Sequence, residues 1–209
     1  MPRPRRTYKK SETSRRQVLD AAIRALAERG YARTSVSDIA EAAGMSKGAV
    51  HYHFESKDDL IAQVLVRCAE AMRERVREAW EAPGEPHERI RRALREMRVS
   101  RKQGSAELRV LADLMAQGIY DPKLRKSLST MFEANRDEVF RHLKHGFEVL
   151  GLEPTVPIHI MPRLVIGMLD GLALHDFFDP MDASDDELVQ TALEAIAISL
   201  VVPSSPRPS

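Results

Sequence analysis

Apolar residues recur along this chain at spacings of three and four. Val18, Leu19, Ala22, Ile23 and Leu26 share one face, which predicts a helix over 12–29. Gly30 stands where a left-handed residue closes a helix, and Tyr31 follows for the hydrophobic contact beyond it. Ser35-x-x-Asp38 has the form of a capping box and opens a short helix ending at Gly44. Ser46 opens another over 47–54. Ser56-x-x-Asp59 starts a long one carrying Leu60, Ile61, Val64, Leu65, Cys68, Met72 and Val76, which stops before the breaker Pro83-Gly84-Glu85-Pro86. Further helices are predicted over 87–102, 105–118, 122–150 and 158–178, with Asp121-Pro122, Gly151 and Asp179-Pro180 as punctuation. Ser184-x-x-Glu187 caps a last helix to about 202. No segment alternates like a strand. The pattern predicts an all-α chain of nine helices.

Composition narrows the class. Of 209 residues, 43% are hydrophobic and only 5% aromatic, enough for a sizeable core of helical type. Cys68 is the single cysteine, which excludes an intrachain disulfide and fits a reducing compartment. MPRPRRTYKK has no apolar run after its charges, so it does not read as a signal peptide. No stretch approaches the roughly 18 apolar residues of a membrane span. A cytoplasmic protein with no membrane partner is expected.

Charge changes the picture more. The net charge is +1, yet residues 1–57 hold twelve basic side chains against six acidic ones, and the rest of the chain is net acidic. That asymmetry points to a polyanion-binding module joined to something else.

The stretch GMSKGAVHYHFESKDDL, 44–60, lies within that module. A helix-turn-helix needs a small residue in its first helix, a residue tolerant of positive φ in the turn, and an apolar residue in its second helix. Ala40, Gly44 and Val50 supply these, with Ile39, Ala43 and Phe54 completing a small core. On these residues TSVSDIAEAAGMSKGAVHYHFESKDDLI resembles the N-terminal domain of the tetracycline-repressor (TetR) family of bacterial regulators, including the aromatic-x-Phe and Lys pattern of Tyr52, Phe54 and Lys57. GLALHDFFDP, 171–180, is similar, more weakly, to C-terminal domains in part of that family. The resemblance implies a dimeric, nucleoid-associated bacterial repressor of two domains. A helix-turn-helix DNA-binding domain would span 12–55 and a helical effector-binding and dimerisation domain 56–202, with a basic disordered arm, 1–11, and a disordered tail, 203–209.

If the second short helix enters the major groove, its N-terminal end meets the bases first. Lys47 is placed there for a guanine or a phosphate, and Gly48 and Ala49 are small enough for close approach, Ala49 against a thymine methyl. His51 projects near the groove, while Tyr52 and His53 suit phosphate or sugar. Lys57, opening the next helix, can neutralise a phosphate. Ser35 and Ser46 can add hydroxyl or backbone contacts. The resemblance implies DNA contacts at Lys47, Gly48, Tyr52, His53 and Lys57; His51 departs from it, standing where an aromatic is frequent. A packing role for Tyr52 against the first helix is the competing reading. Metal binding by His51 and His53 is not expected, because residues two apart on a helix diverge by roughly 200°. Arg3, Arg5, Arg6, Lys9 and Lys10 can enter a minor groove or stay disordered.

In the C-terminal half, Gly167-x-x-x-Gly171 permits close helix approach. Leu188, Val189, Ala192, Leu193, Ile196, Ala197, Ile198, Leu200 and Val201 make the last helix apolar nearly all round. Two such helices from each of two chains would form a four-helix bundle, so a homodimer on a palindromic double-stranded operator is expected. Asn135 is the polar member of the stripe Leu124, Leu128, Phe132, Val139, Leu143 and Phe147. It is either a satisfied core amide or a ligand contact. Met72, Met115, Met131 and Met168 either line a cavity for an unknown small-molecule effector or are plain core. His142 and His145 lack a third ligand, and neither metal nor cofactor is expected. The leading function is an effector-controlled DNA-binding repressor rather than an enzyme. The alternatives are a non-specific nucleoid or replication-associated DNA binder, and an enzyme using Cys68.

Overall fold

A computed structural model describes residues 5–101 and 105–204, with the side chains of residues 5–10, 72 and 75 outside that description. Among the described residues there are nine helices and one two-stranded antiparallel ladder. The helices are α1 (Arg5–Arg29), α2 (Val36–Ala42), α3 (Lys47–His53), α4 (Lys57–Glu81), α5 (Pro86–Val99), α6 (Ala106–Gly118), α7 (Pro122–Leu150), α8 (Met161–Phe178) and α9 (Ala183–Ser199). None of them is long and apolar enough to cross a membrane. The all-α expectation holds.

Several boundaries differ for local reasons. The first helix begins at Arg5 rather than at 12, and of the basic arm Arg3 and the side chains of Arg5, Arg6, Lys9 and Lys10 lie outside the described residues. The last helix is capped by Asp182, not Ser184: one carboxylate oxygen accepts from the backbone N–H of both Ser184 and Asp185, at 2.8 and 2.9 Å. That helix stops at Ser199. The chain then forms β2 (Val201–Pro203), paired with β1 (Leu152–Pro154) in the register Leu152 to Pro203. The expectations of no strand and of a disordered tail starting at 203 are corrected to that extent. Three residues with a terminal proline are too few to alternate, so the sequence pattern carries no strand signal there. The tail from 205 onward is outside the described residues.

The first compact unit runs through Glu70 and includes α6 and the start of α7 as far as Met131. Val18, Ala22 and Leu26 of α1 are buried together with Ile39, Val50, Phe54, Leu60, Ile61, Val64 and Leu65. Burying each such side chain contributes roughly 1.5–3 kcal/mol, which is how a seven-residue α3 with one buried residue, Val50, stays folded. At the turn before it, Met45 N–H donates to the Ala40 carbonyl and Gly44 N–H to that of Glu41, both at 2.9 Å, a Schellman closure. Gly44 sits at φ +66, and an added Cβ would meet nothing within 4 Å. The glycine is required by backbone conformation, not by space.

The second unit holds residues 71–101 and 132–204 of the described chain. Met97 of α5, Leu169 of α8 and Leu193 of α9 form its buried cluster, with Val165, Met168 and Val189 packed around it. An arginine row on α5 sets its neighbours: Arg91 pairs with Glu194 at 3.5 Å, Arg95 with Glu187 at 3.3 Å, and Arg98 with Asp186 at 2.6 Å. Arg101, just beyond, reaches Asp170 of α8 at 2.6 Å. Both carboxylate and guanidinium are largely buried in the last pair, so removing either partner alone would leave an uncompensated charge. Gly146 of α7 lies against the Trp80 ring, where any Cβ would collide. The expectation that Leu193 helps form an intermolecular bundle is corrected here. It is 4% exposed within its own chain, whereas Leu188 is 65% and Ile196 48% exposed.

Candidate nucleic-acid interface

Two caps build the reading head. The Ser35 hydroxyl oxygen accepts from Asp38 N–H at 3.2 Å while Asp38 accepts from both the N–H and the hydroxyl of Ser35, at 2.7 and 2.6 Å. These bonds, with Arg29 at 3.6 Å, hold the Asp38 carboxyl below its usual pKa. At α3, the Ser46 hydroxyl oxygen accepts from Ala49 N–H at 3.2 Å, and the residue is exposed.

Between the start of α2 and the outer face of α3 lies a cleft of about 420 Å³ lined by Ala32, Arg33, Thr34, Ser35, Val36, Ser37, Lys47, His51 and Lys57. Four of these carry basic side chains, and no acidic residue lines it. Lys47, Gly48 and His51 are exposed and Ala49 is half-buried. Tyr52 is 79% exposed, which overturns a packing role for it and leaves its ring to the outside, edge-on to His53 with centroids 5.1 Å apart.

Two expected contact residues have partners inside the fold. His53 Nε2 lies 2.8 Å from the Ser14 hydroxyl, which also donates to the Ser11 carbonyl at 3.0 Å. Ser14 has one proton, so when it goes to Ser11 the Nε2–H of His53 is the donor in the other bond. His53 therefore faces α1 while His51 faces the cleft. The Ser35 hydroxyl proton is likewise held by Asp38, and Ser35 supports the cleft rather than donating into it.

Lys57 stands between the two cases. Its ammonium donates to the Tyr31 carbonyl at 3.1 Å and sits 4.2 Å from the centre of the Tyr31 ring. Partial burial pulls its pKa below the usual lysine value, opposed by the charges of Asp58 and Asp38. Burial first, then Asp121 and Asp58, pushes the Tyr31 phenol the other way. One of three ammonium protons is bound, and Lys57 still lines the cleft.

Arg33 and Ser37 were missed in the sequence. Arg33 anchors Nε on the Arg29 carbonyl at 2.9 Å; its available signal was a basic residue just before a capping serine. Of the effector candidates, Met115 and Met131 belong to the first unit and Asn135 and Met168 to the second. Met131 is buried and Met115 exposed, while Asn135 is half-buried. Met168 packs on the cluster of Met97, Leu169 and Leu193. The side chain of Met72 lies outside the described residues.

Comparison with known proteins agrees with this architecture. Residues 18–64 match the model for bacterial regulatory proteins of the tetR family, and residues 86–200, more than half of the chain, match that for the BetI-type transcriptional repressor C-terminal domain. The chain is 25% identical over 189 residues to the HTH-type transcriptional regulator PksA of Bacillus subtilis (strain 168), covering 88% of this chain and 89% of that one. A TetR-family transcriptional regulator from Rhodococcus sp. superposes with a TM-score of 0.75 at 20% identity, over 90% of this chain and 98% of its own. A transcriptional regulator from Saccharomonospora viridis, solved in complex with choline, does so at 0.68 and 23%, over 91% and 99%. The basic cleft flanking α3, the Schellman-closed turn and the two matched domains together place the chain in the TetR family, as a sequence-specific DNA-binding transcriptional regulator.

Proposed function

We propose that the chain is a dimeric repressor that reads a palindromic operator with α3 and releases it when a small molecule binds the C-terminal part. One observation carries the DNA-reading half. A helix with a single buried residue turns Lys47, His51 and Tyr52 outward beside a cleft lined by basic and neutral residues and no acidic one, which suits a duplex edge and its phosphates. Lys47 reads a base, Gly48 and Ala49 let the backbone approach, and His51 enters the groove. Tyr52 and Lys57 meet the backbone, and Ser46 offers its exposed hydroxyl as a donor. Ser35 and His53 act by holding α2 and α3 in place.

The exposed apolar side chains of α8 and α9, Leu164, Leu174, Phe178, Leu188 and Ile196, support pairing with a second copy of the chain. The choline held by the S. viridis regulator makes quaternary ammonium compounds the first effector class to test, ahead of uncharged hydrophobic molecules. Release requires the effector to favour the form that does not bind DNA; about 2 kcal/mol of coupling is roughly 30-fold in affinity. Footprinting on DNA upstream of its own coding sequence tests the reading. Two protected half-sites about one helical turn (~34 Å) or a multiple apart are expected, lost on addition of an active effector. Continuous protection without a palindrome would instead mean a non-specific nucleoid binder.

A further inference from the structure

Asp113 lies on α6, far in sequence from the helix-turn-helix, yet one of its carboxylate oxygens accepts from the backbone N–H of Tyr31 at 2.6 Å. The approach is close because Gly30, at φ +79, carries no side chain: a Cβ there would lie 3.3 Å from the same oxygen. On its other side Tyr31 is the seat of Lys57, through its carbonyl at 3.1 Å and its ring at 4.2 Å. The Tyr31 carbonyl also accepts from Thr34 N–H at 3.3 Å, and Thr34 lines the cleft. Tyr31 is thus gripped from two helices at once: an anion on α6 fixes its donor and a cation on α4 binds its acceptor. All of these groups belong to the first compact unit.

We propose that Asp113 is a positioning residue for DNA binding: by fixing the Gly30–Tyr31 turn it holds the seat on which Lys57 rests, so that the ammonium presents its remaining protons into the basic cleft. The inference rests on the reading of Lys57 as a phosphate contact. A charge-assisted bond to a backbone N–H is among the stronger hydrogen bonds. Without it, the turn loses its anchor on α6, and Lys57 keeps its charge but not its place. Asp58, Asp38 and Asp121 lie around the same seat, so a displaced Lys57 has other carboxylates to meet and the cleft loses one oriented cation.

The test uses the full chain and the duplex upstream of its own coding sequence, with Asp113→Leu, Asp113→Asn, Lys57→Met and the double variant Asp113→Leu/Lys57→Met. Each phosphate contact contributes about 0.9 to the slope of log affinity against log salt. Because a dimer makes this contact once in each half-site, Lys57→Met is expected to lower the slope by about twice that amount, and Asp113→Leu by a similar amount. The double variant loses no more than either single one. Asp113→Asn, which keeps an acceptor for Tyr31 N–H, restores most of the slope. A second readout needs no DNA: the pKa of the Lys57 amine, followed by NMR after reductive methylation. Partial burial holds it below the ordinary value in the wild type; in Asp113→Leu it should rise towards that of a free lysine. If Asp113→Leu does not fold, Asp113→Ala takes its place in both measurements. A variant that melts earlier but keeps the wild-type slope and the wild-type Lys57 titration would overturn the inference, leaving Asp113 a plain link between α6 and α1. If Lys57→Met itself leaves the slope unchanged, the phosphate reading of Lys57 fails. The Lys57 titration in Asp113→Leu then decides the Asp113 seat alone: a shifted amine supports it and an unshifted one overturns it.

Discussion

Helices α3 and α9 are both half-turned to the outside, but they expose opposite chemistry. The first buries Val50 and presents a lysine, a glycine, a histidine and a tyrosine. The second buries Gln190 and Leu193 and leaves Leu188 and Ile196 in the open. A polar face with an excess of cations has a generic complement, the phosphate backbone, and needs only a rigid support to be specific. An apolar face on a folded chain has its complement in another apolar face. The comparison teaches that each helix keeps its fold with one or two buried residues, so exposed and buried positions on it can be broken separately.

The largest effect separates the two faces of α9. Leu193→Glu places a carboxylate against Met97 and Leu169. Burying an unpaired charge costs several kcal/mol, so thermal melting followed by circular dichroism should show the second unit lost or strongly destabilised. Leu188→Glu combined with Ile196→Glu, on the exposed side, should leave the helical signal intact and give monomers by sedimentation. A stable dimer from that double variant would move the interface away from α9. A full loss of fold would mean that these side chains are core as well.

On α3 the effects are smaller and fall on DNA rather than stability. Lys47→Ala should weaken operator binding by about 1–3 kcal/mol per half-site and relax preference at one base pair in each. Tyr52→Ala should weaken binding evenly across sequences, since its exposed ring touches the backbone in this reading. Both variants should melt like the wild type, because neither side chain is buried. Unchanged operator affinity in both would remove α3 from the interface.

Gly48→Ala sharpens the same contrast. A Cβ at Gly48 would meet only the Ser46 hydroxyl at 3.9 Å, an ordinary contact. Alanine also favours the helix by up to about 1 kcal/mol. The variant should therefore melt no lower than the wild type while binding DNA more weakly, because the added methyl group stands between backbone and bases. A gain in stability with undiminished affinity would show that the glycine serves no close approach.

What the sequence made legible follows the range of each interaction. Ser35 with Asp38, Ser46 with Ala49, and Gly44 in its turn obey rules that act over a few residues, and all three appear where the pattern puts them. Ser184 failed as a cap because Asp182, two residues earlier, reaches two N–H groups at once. The seats of the functional side chains are long-range and left no local trace. His53 turns to Ser14, 39 positions away, Lys57 to Tyr31, 26 away, and Asp113 to Tyr31, 82 away. The β1–β2 pairing is long-range as well, joining Leu152 to Pro203. Leu193 and Ile196 look alike in a periodic stripe, and only packing tells that one is core and the other surface.

The smallest effect concerns Cys68, which lies on the core face of α4 and is 2% exposed. Burial, aided by the charge of Glu107, pushes its thiol up to about 12. A nucleophilic cysteine needs thiolate, and three pKa units above an ordinary thiol leaves about a thousandfold less of it at neutral pH. Iodoacetamide should therefore spare the native protein at pH 7 and label it once denaturant unfolds it. Rapid native labelling would revive a reactive role for this residue. The same shift has a sign for stability. Below about pH 9 the thiol is neutral in both folded and unfolded chains and contributes no pH dependence. From there to about 12 the unfolded chain ionises while the folded one does not, so stability should fall as pH rises. Comparing denaturation midpoints of the wild type and Cys68→Ala at pH 8 and pH 10 isolates the effect, since other groups titrate alike in both. Cys68→Ala should start less stable, having lost packing, and the gap should narrow at the higher pH. A gap that stays constant would place the thiol in a more polar setting than α4 provides.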